Sequence, residues 1–266
     1  MSGSATMACG AATSPARVER VSDSVAALVL DCPERGNALS AELVEALLAG
    51  LENVLSDPGV DTLAFCASGR HFCTGFDLSG LDAETDASLL ARFVRIETLL
   101  DAIWRAPVRT VAIAQGRIIG AGADLFAACD FRWLASGASL RFPGAGFGLV
   151  LGTRRLAARV GQARALRWVS EATVLDAEEA VAAGLADEVL APGSLAGVPG
   201  EQPAALAARL PRIGVDRGTM SALRGAMRDH AADRDLAALV RSAARPGLKA
   251  RIAAYRAAQL EARGGG

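Results

Sequence analysis

The strongest constraint on this chain is a change of pattern past its midpoint. As far as residue 190, short runs rich in valine, leucine and alanine alternate with stretches whose apolar residues recur at helical spacing. Residues 16–21 and 25–31 flank Ser22, Asp23 and Ser24 and predict a β-hairpin. After a loop from Cys32 to Asn37, Ser40 caps a helix that carries Leu43, Leu47, Leu51 and Leu55 on one stripe, and Asp57-Pro58-Gly59 stops it. Residues 62–67 and 111–114 have the length and composition of buried strands, and a helix at 87–104 between them ends before Pro107. The second run leads into a glycine-rich stretch at 116–124, which opens an apolar helix reaching Ala128. Short strands follow at 131–134 and 139–141. Helices dominate from Thr153, with Asp176 and Glu179 as a capping pair, and residues 186–190 return as a last strand. Beyond a Gly/Pro-rich break at 192–203, residues 204–263 read as helices only. Strands alternating with helices, then helices alone, predict an α/β core with a C-terminal helical segment. The division is a tail at 1–15, a core at 16–192 and a helical segment at 193–266.

Composition narrows what such a fold does. The formal net charge is -1 and 52% of residues are hydrophobic, which argues against disorder and against nucleic-acid binding. No run has the length and uninterrupted apolarity of a membrane span, and the first fourteen residues lack the basic start and apolar core of a signal peptide. The five cysteines (Cys9, Cys32, Cys66, Cys73, Cys129) are odd in number and never spaced C-x-x-C, and the only histidines are His71 and His230. No disulfide framework or metal site is expected, and a reducing cytoplasm is the natural setting.

Two loops concentrate the chemistry. One is the glycine cluster around Gly120, which follows a strand and starts a helix, so that backbone N–H groups are exposed there. It is not a dinucleotide fingerprint, because Gly120 and Gly122 are followed by Leu125 where a third glycine would stand. The other is the loop at 68–78, which also follows a strand and supplies Gly75 beside a potentially free amide. Together the loops have the makings of two N–H groups aimed at one carbonyl oxygen, which is the recipe for an oxyanion hole. Close helix–strand packing is the alternative use of the same glycines.

These segments resemble the crotonase (enoyl-CoA hydratase/isomerase) superfamily. The loop at 68–81 is similar to the family's G-x-x-F-x-x-G-x-D-(I/L) pattern, and residues 114–130 to its glycine-rich segment ending in C-D. The turn at 33–39 resembles R-P-x-x-x-N-A-L. Residues 172–190 resemble a family helix and its exit, and residues 249–255 the C-terminal K-E-G-M-x-A-F region. The resemblance spans about residues 16–260. It implies a spiral of β-β-α turns with a C-terminal helical segment that mediates trimer formation, as a homotrimer or hexamer. It also implies a coenzyme A thioester as substrate and no permanently bound cofactor. The oxyanion donors it implies are the amides of Phe76 and Ala121. Of the two glutamates of a family hydratase, the first falls at Asp124 and the second at Gly144, after Pro143. The wall at 148–153 is also shortened by about three residues, and Arg141 stands beside it.

Syn hydration needs one group to activate water and another to protonate carbon. With Asp124 as the single acid, the expected reaction is isomerase- or hydratase-like. A hydrolase, a decarboxylase or a non-catalytic acyl-CoA-binding subunit remain as alternatives. The resemblance also implies Arg35 and Ala38 in the 33–39 turn, Asp77, Lys249 and Tyr255 as residues binding the coenzyme. Asp77 has a second use as a loop-structuring residue, and Arg141 either lies on the surface or faces the acyl group, where it would favour a carboxylate. Glu84, in the acidic run with Asp82 and Asp86, is the alternative second acid. His71 is expected to face solvent or coenzyme A.

Overall fold

The computed structural model describes residues 14–191, 209–210, 212–228 and 232–264. Most of the predicted tail, the break at 192–203, Cys9 and His230 lie outside the described residues.

A six-stranded sheet forms the frame. Its strands are β1 (Ala16–Arg20), β2 (Val25–Leu30), β3 (Thr62–Ala67), β4 (Arg109–Ala114), β6 (Phe131–Ala135) and β9 (Glu188–Leu190), in the order β1-β2-β3-β4-β6-β9. Only the β1–β2 hairpin is antiparallel; the other neighbours run parallel. Both faces of the inner strands are covered, so they read as unbroken apolar runs. Leu28, Leu30, Leu63, Phe65 and Ala112 enter the main core under the helices, while Val25, Ala27, Val29, Ala64, Cys66, Val111 and Ile113 enter a second core on the other face. This two-residue alternation is hidden in sequence because both sets are apolar.

A second, three-stranded sheet contains β5 (Arg117–Ile119), β7 (Ser139–Arg141) and β8 (Val174–Asp176). β5 pairs parallel with β7, and β7 antiparallel with β8. The sequence reading lacks β5 and β8. It merges β5 into the glycine stretch, and β8 into a segment that the structure divides into β8, a short helix α6 (Ala177–Ala182) and β9.

Helix α1 (Ala41–Ser56) begins where expected, with the Ser40 Oγ accepting from the Leu43 amide at 3.2 Å. Helix α2 (Asp86–Arg105) has a reciprocal cap between Thr85 and Ser88. Asp176 and Glu179 form the expected reciprocal cap of α6. Between them lie α3 (Ala121–Ala128), α4 (Thr153–Val160) and α5 (Gln162–Glu171).

The C-terminal segment supplies α7 (Arg217–Met227), α8 (Ala232–Ala243) and α9 (Leu248–Gly264). All three fold back onto the core of their own chain. Arg224 of α7 and Arg228 just beyond it pair with Asp130, and Arg228 lies 3.9 Å over the Trp104 ring. α8 packs on α2, and α9 crosses the short 3-10 turn at Gly144–Phe147, where Tyr255 meets Phe147 edge to face at 5.4 Å. No helix among the described residues is long and apolar enough to cross a membrane.

Candidate active site

The parallel strands bring the two loops together at one end of the sheet. Phe72 donates to the Gln115 carbonyl at 2.8 Å, and Ile119 to the Cys73 carbonyl at 3.0 Å. The 33–39 turn is stitched to the first loop by Leu39 N–H to Gly75 O at 2.7 Å and by Thr74 N–H to Gly36 O at 3.0 Å. Buried Asn37 completes the joint. Its Oδ1 accepts from Cys32 N–H, and its Nδ2 donates to the carbonyls of Ser68 and His71. Gly75 has φ +96°, and a Cβ there would stand 2.7 Å from the Ile119 carbonyl oxygen. Only glycine lets the loops approach this closely.

Two amides are left over by this stitching. Among the described residues, no acceptor meets the N–H of Phe76 or that of Ala121, the first residue of α3. Ala121 has no positive φ, so its side chain causes no backbone strain. The preceding Gly120 is anchored by its N–H to the Arg141 carbonyl at 2.8 Å. The Phe76 ring stacks on Phe93 with centroids 4.3 Å apart, and the Arg92 guanidinium covers it at 4.1 Å. Both amide-bearing residues line a cavity of about 320 Å³.

Asp124, in the first turn of α3, lines the same cavity and is 6% exposed. It is the only carboxylate among the described lining residues. No hydrogen-bond donor among the described residues engages its carboxyl group. Burial, reinforced by the negative charge of Glu97 and opposed by Arg155, holds it well above the usual carboxylate range. Asp124 is therefore positioned to hold a proton that it can deliver into the cavity. Its carboxyl group rests on Gly152, where φ is +64° and any Cβ would overlap it. Gly144, at the second family acid position, also lines the cavity but adds no carboxylate.

The remaining candidates divide. Tyr255 and Arg141 line the cavity. Arg141 donates from Nε to the Ala172 carbonyl at 2.9 Å and from Nη1 to Gln259 at 3.3 Å, so it is a wall residue of the cavity. Arg35 and Asp77, both read as coenzyme-binding, are bonded to each other, and Ser79 bonds to both. Ala38 sits in the turn and Lys249 donates to the Asp82 carbonyl at 2.7 Å; neither lines the cavity. Glu84 is a correction to the sequence reading. Its carboxylate pairs with Arg92 at 2.7 Å and bonds Ser88, which hold it below the usual carboxylate range, and it lies off the cavity wall. His71 accepts the Arg117 N–H on its Nδ1 at 3.1 Å, and burial lowers its proton affinity. It buttresses the loop. Among the described residues, no cluster of His, Cys, Asp and Glu is arranged to hold a metal ion.

The family model described as enoyl-CoA hydratase/isomerase matches residues 20–211. The chain belongs to the enoyl-CoA hydratase/isomerase family. A solved structure from Bordetella parapertussis, assigned by its name to the same hydratase/isomerase class, is 42% identical. It superposes with a TM-score of 0.83 over 92% of this chain and 99% of that one. An ethylmalonyl-CoA decarboxylase of Mus musculus is 34% identical over 177 residues, covering 64% of this chain and 54% of the mouse protein. A protein of Mycobacterium bovis named probable enoyl-CoA hydratase echA6 is 35% identical over 170 residues, covering 63% of this chain and 68% of the mycobacterial one. The chain thus spans about half the length of the mouse relative. The crotonase fold and enzyme family expected from the loops hold. Sequence reasoning missed Glu97 and Arg155, the electrostatic neighbours of Asp124. They lie on helices α2 and α4, where a charged residue in an amphipathic pattern looks like solvated surface.

Proposed function

We propose that the protein acts on an acyl-CoA thioester through an enolate, with the carbonyl oxygen held between the amides of Phe76 and Ala121 and Asp124 as the proton-transfer group. One observation carries this reading: two amides without acceptors and a single buried carboxyl group share one cavity. Such donors bind the oxygen more strongly as it gathers negative charge, so they favour the transition state over the ground state.

The raised proton affinity of Asp124 selects among enolate reactions. Hydration needs a second group to activate water, and the cavity wall has no second carboxylate among its described residues. A carboxyl group whose proton affinity is raised is suited to quench an enolate formed by another route. Decarboxylation supplies that route. The bond between C2 and the carboxylate of a 2-carboxyacyl thioester breaks, and carbon dioxide leaves. Its bonding pair becomes the enolate, Asp124 protonates C2, and water restores the proton. Arg141 in the wall favours a carboxylated acyl group. The relatives named ethylmalonyl-CoA decarboxylase agree with this choice. Double-bond isomerisation is the second reading. It uses the same amides, with Asp124 starting as the base.

In this proposal the nucleotide end of the thioester lies toward Arg35, Ala38, Asp77 and Lys249, with Tyr255 at the cavity. The active form is a homotrimer or hexamer in the cytoplasm, a subunit number that native mass spectrometry reads directly. The test of function is mass spectrometry of purified protein with 2-carboxyacyl, 2-enoyl and 3-enoyl thioesters. Loss of carbon dioxide from the first supports decarboxylation, and an isomer of unchanged mass supports the second reading. Addition of water or release of free coenzyme A contradicts both, and binding without conversion makes the protein an acyl-CoA-binding subunit.

A further inference from the structure

Behind Asp124 the chain buries charge that packing does not need. Arg155 on α4 is 0% exposed and Glu97 on α2 is 3% exposed, and they meet at 2.7 Å through Nη2 and Oε1. The pair is incompletely satisfied. Glu97 Oε2 and the Nε and Nη1 of Arg155 have no hydrogen-bond partner among the described residues. Asp101 of α2 and Asp235 of α8 each approach the same Nη2 at 3.6 Å, and Asp235 is also held by Arg154. A buried pair with orphaned donors is generally no more stabilising than apolar side chains of the same size. Its presence one helical turn from the glycine on which a cavity carboxyl group rests calls for a use other than stability.

Asp124 connects to this pair through the start of α4. Its carboxyl group rests on Gly152, the residue that caps that helix, and Arg155 stands in the helix's first turn. The charged groups facing Asp124 are few. From α2 it is Glu97, and from α4 Arg155, with Arg154 turned to Asp235 and Arg159 capping the far end of α3 at the Ala127 and Cys129 carbonyls. The cavity wall contributes exposed Arg117 from β5, Arg141 from β7, and Tyr255 and Arg256 from α9.

We propose that the buried Glu97–Arg155 pair is a positioning device for Asp124, acting on its carboxyl group through Gly152 and the first turn of α4. This rests on the reading of Asp124 as the proton-transfer group. Through charge, Glu97 favours the protonated Asp124 and Arg155 opposes it.

The experiment is carbonyl-region NMR of the full chain labelled with 13C at the aspartate carboxyl carbons, with the Asp124 signal assigned by its loss in Asp124→Asn. Glu97→Gln keeps the shape and an acceptor for Arg155 while removing a charge. The Asp124 titration moves to lower pH in Glu97→Gln. Arg155→Lys keeps the charge and leaves the midpoint near the parent value, whereas Arg155→Met moves it upward. An unmoved midpoint in folded Glu97→Gln overturns the proposal, and so does an upward movement. If Arg155→Met does not fold, the Glu97→Gln result decides alone. The NMR readout needs no turnover. A shifted midpoint in a protein that converts no thioester therefore sinks the functional reading, whereas an unmoved midpoint in an active enzyme sinks only this proposal. In an active enzyme, the pH profile of kcat shifts in the same direction as the NMR midpoint.

Discussion

At the scale of single residues, the site is built from backbone more than from side chains. In the proposed reaction Phe76 and Ala121 act through their amides, so an alanine side chain at 121 leaves the donor in place. Asp124 is the exception, and its burial has a consequence for stability. Between the ordinary aspartate value and the higher folded value, the folded chain keeps a proton on Asp124 that the unfolded chain has released. Its contribution is therefore fully present below about pH 4, the ordinary aspartate value, and is lost as pH rises through the higher folded value. Asp124→Asn removes this dependence. Denaturant unfolding at neutral pH is expected to show the variant more stable than the parent, with the gain vanishing at about pH 4. Its turnover is expected to fall on the order of 10²- to 10⁴-fold with thioester binding retained. These three residues were legible because they lie in contiguous motifs. Glu97 and Arg155 were not, since their meeting at 2.7 Å depends on how α2 packs against α4.

At the scale of elements, long amphipathic helices and apolar strands announce themselves, and three-residue strands do not. β5 and β8 are too short to show a two-residue period, and their pairing with β7 is fixed by chain distant in sequence. Yet β5 decides the site, because Ile119 closes onto Cys73 and so brings the Phe76 loop to the start of α3. Gly75→Ala tests this joint. A Cβ 2.7 Å from the Ile119 carbonyl forces the loops apart. The expected result is a fall in turnover on the order of 10²- to 10³-fold, the effect of losing one oxyanion donor. Circular dichroism is expected to show the helices intact.

At the scale of the molecule, the last helix is part of the cavity wall. α9 brings Ile252 and Tyr255 to the cavity, and α7 is held to the core by Arg224 and Arg228 on Asp130. These arginines, with the Thr110 amide, hold the largely buried Asp130 carboxyl below the usual carboxylate range against the effect of burial. Its stabilisation is present above the unfolded value, about pH 4, and is lost as pH falls through the lower folded value. Asp130→Asn leaves two cations short of a partner, and chemical denaturation at neutral pH is expected to show a loss of about 3–5 kcal/mol. The helical character of this segment was legible from its composition. Its return to its own core was not, because that depends on paired charges more than ninety residues apart, such as Arg224 and Asp130.

The central claim is that Asp124 delivers a proton to an enolate held by the amides of Phe76 and Ala121. Conversion of a 2-carboxyacyl thioester in heavy water, read by mass spectrometry, tests it most directly. The account predicts loss of carbon dioxide with one deuterium gained at C2, at a rate that collapses in Asp124→Asn. An undiminished rate in Asp124→Asn, or decarboxylated product without deuterium at C2, would contradict it.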